Sequence, residues 1–138
     1  MSDLVRLSMS IEKSLYDRLE RLVARSGYSN RSEYLRDLIR ERLVEEEWAQ
    51  DEEVVGAVML LYDHEVRELS AKLTHEQHHH HDAVLATMHV HLDAHVCVES
   101  ILVQGTASDI RALFDRLRQQ KGVLHAALSL SSTGKDLA

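Results

Sequence analysis

Apolar positions recur along this chain with two alternating periods. In "VRLSMSI", Val5, Leu7, Met9 and Ile11 fall on one side of an extended backbone and Arg6, Ser8 and Ser10 on the other, which predicts a half-buried strand. Leu15, Leu19, Leu22 and Val23 follow at helical spacing, and Gly27 supplies a left-handed stop. Asn30 is placed to cap a second helix, with Glu33 as the return partner of a capping box and Leu35, Leu38, Ile39 and Leu43 as the apolar stripe. Beyond residue 54 the pattern predicts strands over 54–62, 83–92, 97–105 and 123–131 and helices over 65–77 and 108–122. Ser108 is the expected cap of that last helix and Gly122 its stop.

The first three elements make a poor monomer, because the strand has no partner and both its edges are open. A two-fold dimer solves this by pairing the strand antiparallel with its own copy, so that the apolar face covers four helices and Arg6, Ser8 and Ser10 point outward. A two-stranded ribbon of this kind fits the DNA major groove, where arginine meets guanine and a hydroxyl meets several base edges. Strand, helix and "GYSNRSEYLRDLIR" together resemble the ribbon-helix-helix family of dimeric DNA-binding proteins. The resemblance implies that Arg6, Ser8 and Ser10 read bases. It also implies that the backbone amides near Asn30, Arg31 and Ser32 hold a phosphate at a helix N-terminus.

The later order βαββαβ predicts a ferredoxin-like (ACT-like) fold, a four-stranded sheet with both helices on one face. The fold class is therefore α+β. The expected organisation is a DNA-binding domain over 1–48, an acidic linker over 49–53, a domain over 54–132 and a tail over 133–138. The bare sheet face needs a cover. A second copy is the expected one, which with the ribbon pairing gives a homotetramer, a dimer of dimers.

Composition changes little except through its distribution. The net charge of −7 would argue against nucleic acid as an average, yet residues 1–43 carry nine Lys/Arg against seven Asp/Glu, while 44–53 carry six acids and no base. A mildly basic N-terminal unit is thus joined to an acidic one, and regional charge guides partners better than the total. No apolar run reaches the roughly 20 residues of a membrane helix. The N-terminus does not read as a secretory signal, and the single cysteine makes no intrachain disulfide. These features lead to the expectation of a cytoplasmic protein.

The concentrated chemistry lies in "THEQHHHHDAVLATMHVHLDAHVC", residues 74–97, with eight of the ten histidines and the only cysteine. His89 and His91 are two apart on an expected strand, so they leave the same face about 6–7 Å apart at the backbone. Cys97 begins the next strand, and a hairpin through "LDAHV" brings it back toward the pair. Two imidazoles and a thiolate are an incomplete set for a first-row ion. By sequence the missing donor is open among His75, His78, His79, His80, His81 and His95. Imidazole with thiolate suits Zn, Cu, Ni or Co.

A ribbon-helix-helix unit followed by a ferredoxin-like domain bearing "HHHHD…MHVHLDAHVC" resembles the nickel-responsive repressor (NikR) family, over essentially the whole chain up to about Ser131. The resemblance implies a planar Ni(II) site, one per subunit, made by His89, His91 and Cys97 of one subunit and His78 of a neighbour. It further implies that Glu33 and Asp37, one helical turn apart, hold a second cation between domains when DNA is engaged. One departure concerns the basic pair common in the family after the strand "VMLLY", where this chain has Val66-Arg67. Arg67 retains a reach to phosphate. The function implied is nickel-dependent operator binding that represses nickel uptake genes, without enzymatic activity. Alternatives are a zinc, copper or cobalt sensor on the same scaffold, or an antitoxin-like ribbon-helix-helix repressor.

Overall fold

A computed structural model describes residues 3–138. Helix α1 spans Lys13–Ser26 and α2 spans Arg31–Ala49; strand β1 (Glu53–Asp63), α3 (Leu69–His79), β2 (Val84–His91), β3 (Val96–Thr106), α4 (Ala107–Arg118) and β4 (Val123–Leu130) follow. The chain divides into two compact units, one of residues up to Leu43 with Gly134–Ala138, the other Val44–Thr133. Packing thus divides the chain earlier than the expected 48/49 boundary. The reason is Trp48, which is buried in the second unit's core and donates its indole N–H to the Ser131 carbonyl at 2.8 Å.

In the first unit the helices form where periodicity and caps predict. Gly27 closes α1 at φ 80°, a conformation that costs a β-carbon-bearing residue about 1 kcal/mol or more. Asn30 Oδ1 accepts the Glu33 amide at 3.0 Å, capping α2. The Glu33 carboxylate does not return to Asn30 as a capping box requires; it pairs with Arg36 one turn on. The expected strand over residues 5–11 is absent, and 3–12 carry no regular structure. A strand exists by its ladder, and a single copy offers this segment no partner. Leu4, Val5 and Leu7 are accordingly 84–87% exposed.

The second unit is the expected βαββαβ sandwich of one sheet and two helices. Its strands run in the order β2-β3-β1-β4, and each neighbouring pair is antiparallel. Alternate residues Val54, Val58, Leu60 and Tyr62 of β1 and Cys97, Ile101 and Val103 of β3 are buried against Leu69 and Leu73 of α3 and Ile110, Leu113 and Leu117 of α4. The opposite sheet face keeps Met59, Met88, Val90 and Leu102 exposed.

The ends of both helices in this unit differ from expectation. Helix α3 starts at Leu69 rather than at 65, because Asp63 folds the preceding residues into a turn, accepting the Glu65 amide at 2.9 Å. Helix α4 is capped by Thr106, whose hydroxyl accepts the Asp109 amide at 3.3 Å. Ser108 instead bonds Asp51 through its amide at 2.6 Å and its hydroxyl at 2.9 Å. Gly122 does not stop α4, which ends at Arg118. Its φ of 103° and close approach to Leu69 and Val66 serve the turn into β4.

Candidate metal centre

The β2–β3 hairpin builds the centre. Asp93 shapes its turn by accepting the amides of His95 at 2.7 Å and Val96 at 2.8 Å, and these two bonds hold its carboxyl below the usual range. The turn sets a register in which His91 faces Cys97 and His89 faces Glu99. On the other side of β3, Cys97 faces Tyr62 and Glu99 faces Leu60. Directly opposed residues share a sheet face, so His89, His91, Cys97, Glu99 and Tyr62 gather on the face that carries the helices. Strand β2 lies at the sheet edge, leaving both imidazoles exposed above a thiol that is fully buried.

His91 Nδ1 lies 3.3 Å from Cys97 Sγ, and the His89 and His91 rings stack with centroids 5.0 Å apart. His89 Nε2 is 3.4 Å from the Tyr62 hydroxyl. The three donors that stand within 4.8 Å of one another are those of His64, His91 and Cys97. Donors bound about 2.0–2.3 Å from one ion are roughly 3–4.5 Å apart, so this spacing fits a metal of the nitrogen–sulfur class. His64 had signalled itself in sequence only as the residue after β1. Pairing of Asp63 with Val96 sets it beside the hairpin, and its ring packs edge-on to His91 at 5.2 Å.

Electrostatics favour a cation. Burial pushes the Cys97 thiol up, and Asp93, Glu99 and Asp63 push it further. The same anions that oppose a bare thiolate attract a divalent ion in its place. Burial also raises Glu99, partly offset by the Gln77 amide that donates to it at 3.1 Å. Gln77 in turn accepts Thr87 Oγ1 at 3.0 Å, tying the end of α3 to β2 and β3. The Glu65 carboxylate, 2.8 Å from His95 Nδ1, raises that imidazole and holds His95 outside the donor set.

His78, the next residue after Gln77, is exposed and lines a shallow recess with Ser70, Ala71, Thr74 and His75, none of them part of the Cys97 cluster. Arg6, Ser8 and Ser10 are exposed in the segment without regular structure. The Arg31 guanidinium donates to Tyr16 Oη at 2.6 Å and pairs with Glu20 at 3.4 Å, and Ser32 is exposed at the start of α2. Glu33 and Asp37 do not converge: Glu33 pairs with Arg36, and Asp37 accepts the Tyr28 hydroxyl at 2.6 Å. Arg67 is exposed in the turn before α3, whereas Val66 packs on the core beside Gly122. The departure at position 66 therefore has a packing role.

Residues 55–131 match the model of the NikR C terminal nickel binding domain, and residues 5–46 match that of the ribbon-helix-helix protein, copG family. The chain belongs to the NikR family. Relatives from Geobacter sulfurreducens and Geotalea uraniireducens, 48% and 46% identical over 138 residues and covering 99% of both chains in each case, bear the name "Putative nickel-responsive regulator". The solved structure of uncharacterized protein TM1266 from Thermotoga maritima aligns with 57% of this chain and 98% of its own at a TM-score of 0.52 and 12% identity, a likeness of fold alone. With both NikR-family domains present, the chain is a nickel-sensing, DNA-binding transcriptional repressor and not an enzyme. Among the described residues no helix is long and apolar enough to cross a membrane.

Proposed function

We propose that His89, His91 and Cys97 of one copy and His78 of another bind one Ni(II) per subunit, and that this binding promotes operator recognition by Arg6, Ser8 and Ser10 of a paired ribbon. The observation that carries the reading is His91 Nδ1 at 3.3 Å from the Cys97 thiol, the one cysteine of the chain. The exposure of His78 supports its donation to another chain. When bound, nickel supplies a centre that holds Cys97 as thiolate. Cys97 gives up its proton on binding, and Gln77 keeps the α3 end in register with the donor strands. Asn30, Arg31 and Ser32 at the start of α2 hold a phosphate, and Arg67 adds a further one.

Nickel tightens DNA binding only by favouring the DNA-competent state, and a tenfold effect requires about 1.4 kcal/mol of difference. The ribbon and the shared metal site need two different interfaces, hence a homotetramer. The apolar strip of Met59, Met88, Val90 and Leu102 supports a covered sheet face. The targets are genes of nickel uptake, which places the work in the cytoplasm. Glu33 and Asp37 hold a second cation only if Arg36 and Tyr28 release them.

The expected outcome of Cys97→Ala is loss of nickel-dependent operator retention in a mobility-shift titration; unchanged retention would overturn the reading. A second reading, with His64 as donor in place of His89, is favoured by the 4.8 Å grouping. Abolition of the nickel–thiolate absorption by His64→Ala rather than by His89→Ala would select it.

A further inference from the structure

A second group of imidazoles lies outside the Cys97 cluster, at the end of α3. The stretch His75-Glu76-Gln77-His78-His79 sets two histidines four residues apart around a glutamate, within a helix that runs Leu69–His79. Residues four apart stand one above the other on a helix. The rings of His75 and His79 lie 23° from parallel with centroids 6.4 Å apart, and both residues are exposed. Two imidazoles bound to one ion through nitrogens about 2.0–2.1 Å from it have centroids roughly 4.5–6.3 Å apart, according to the angle at the metal. A small rotation of exposed side chains therefore closes the pair on an ion.

Of the other histidines of the run, His78 is exposed and His80 packs edge-on to His79 with centroids 5.1 Å apart. His80 Nδ1 is 3.0 Å from the Glu76 carbonyl oxygen, and His81 Nε2 is 3.0 Å from Asp82. We propose that His75 and His79 form a second binding site, distinct from the Cys97 centre, for a divalent transition ion of the nickel, copper or zinc class. Two imidazoles at i and i+4 on one helix face are a recurrent ligand pair for such ions, with a glutamate after the first histidine serving as base in hydrolytic sites. Here that glutamate is diverted: Glu76 Oε2 is shielded from water and turned toward Arg116 Nη1 at 3.9 Å. The pair is thus a binding site whose other positions are filled by water. A chelate across one turn also pins the last turn of α3, which ends at His79.

The test is nickel stoichiometry of the full chain by equilibrium dialysis, with the nickel–thiolate absorption band as a separate readout for Cys97. The native chain is expected to take up two ions per chain. His75→Ala and His79→Ala keep the band and lose the second ion, while His81→Ala keeps both ions. Cys97→Ala loses the band and the tighter ion and keeps the second, which separates this site from the proposed nickel centre. A single ion in the native chain, a second ion kept by His75→Ala or His79→Ala, or one lost in His81→Ala or Cys97→Ala would overturn the proposal.

Discussion

Leu113 and Leu7 are the same residue type with opposite fates: Leu113 on α4 is fully buried, while Leu7 is 84% exposed. Each stands for its unit. The second unit closes a core within one chain, because a sheet and two helices give every apolar face on one side a cover. The first unit has two helices and one extended segment, α1 buries no residue, and Leu15, Leu22, Leu38 and Ile39 remain exposed. An apolar pattern without burial marks a core that a single chain leaves unfinished. One half of the repressor closes its core within one chain, and the other half needs a second copy before it has either a core or a ribbon.

The contrast is open to direct attack. The largest expected effect is Leu113→Ala, which removes about 2–5 kcal/mol from the unfolding transition of the second unit by leaving a cavity. Urea denaturation followed by Trp48 fluorescence checks it, at one fixed protein concentration because the second unit also pairs copies in the proposed tetramer. Leu7→Asp should leave the same transition unchanged but weaken operator binding about 100-fold, since a carboxylate would be buried in the paired ribbon. An equal loss of stability in the second unit would break the comparison.

A smaller effect sharpens the sensor side. The Cys97 thiol is raised by burial and by Asp93, Glu99 and Asp63, so it carries its proton until a metal displaces it. With one proton released, nickel affinity should rise about tenfold per pH unit between roughly pH 6.5 and 8. Titrations at three pH values, followed by the nickel–thiolate absorption, check the slope, and the band itself should be lost in Cys97→Ala. The smallest effects compare caps across the two units. Thr106→Ala and Asn30→Ala each remove a side-chain bond to a helix amide, worth about 1 kcal/mol. Thr106→Ala should lower the denaturation midpoint of the second unit, whereas Asn30→Ala should appear in operator affinity.

Much of this was legible from residue order. Gly27 and Asn30 mark their helix ends because backbone conformation and amide capping are local properties. The βαββαβ order followed from the switch between the two periods. Thr106 displaced Ser108 as a cap because Asp51, distant in sequence, claims the Ser108 hydroxyl and amide. His64 carries no mark in local spacing, because its nearness to His91 comes from the pairing of β1 with β3.

Sequence by itself determined the element order from α1 onward, the helix ends at Gly27 and Asn30, the parity that sets His89 and His91 on one face, and the donor chemistry of imidazole and thiol. Tertiary structure alone decided that His91 stands opposite Cys97, that the thiol is buried while the imidazoles are exposed, and that His64 joins them. The physical reason is that a strand's period fixes which side a residue faces, while its neighbours depend on register, set by the Asp93 turn and by pairing between distant strands. The same limit explains the ribbon. Its pattern is written in residues 5–11, but a strand needs a partner backbone that one chain does not contain.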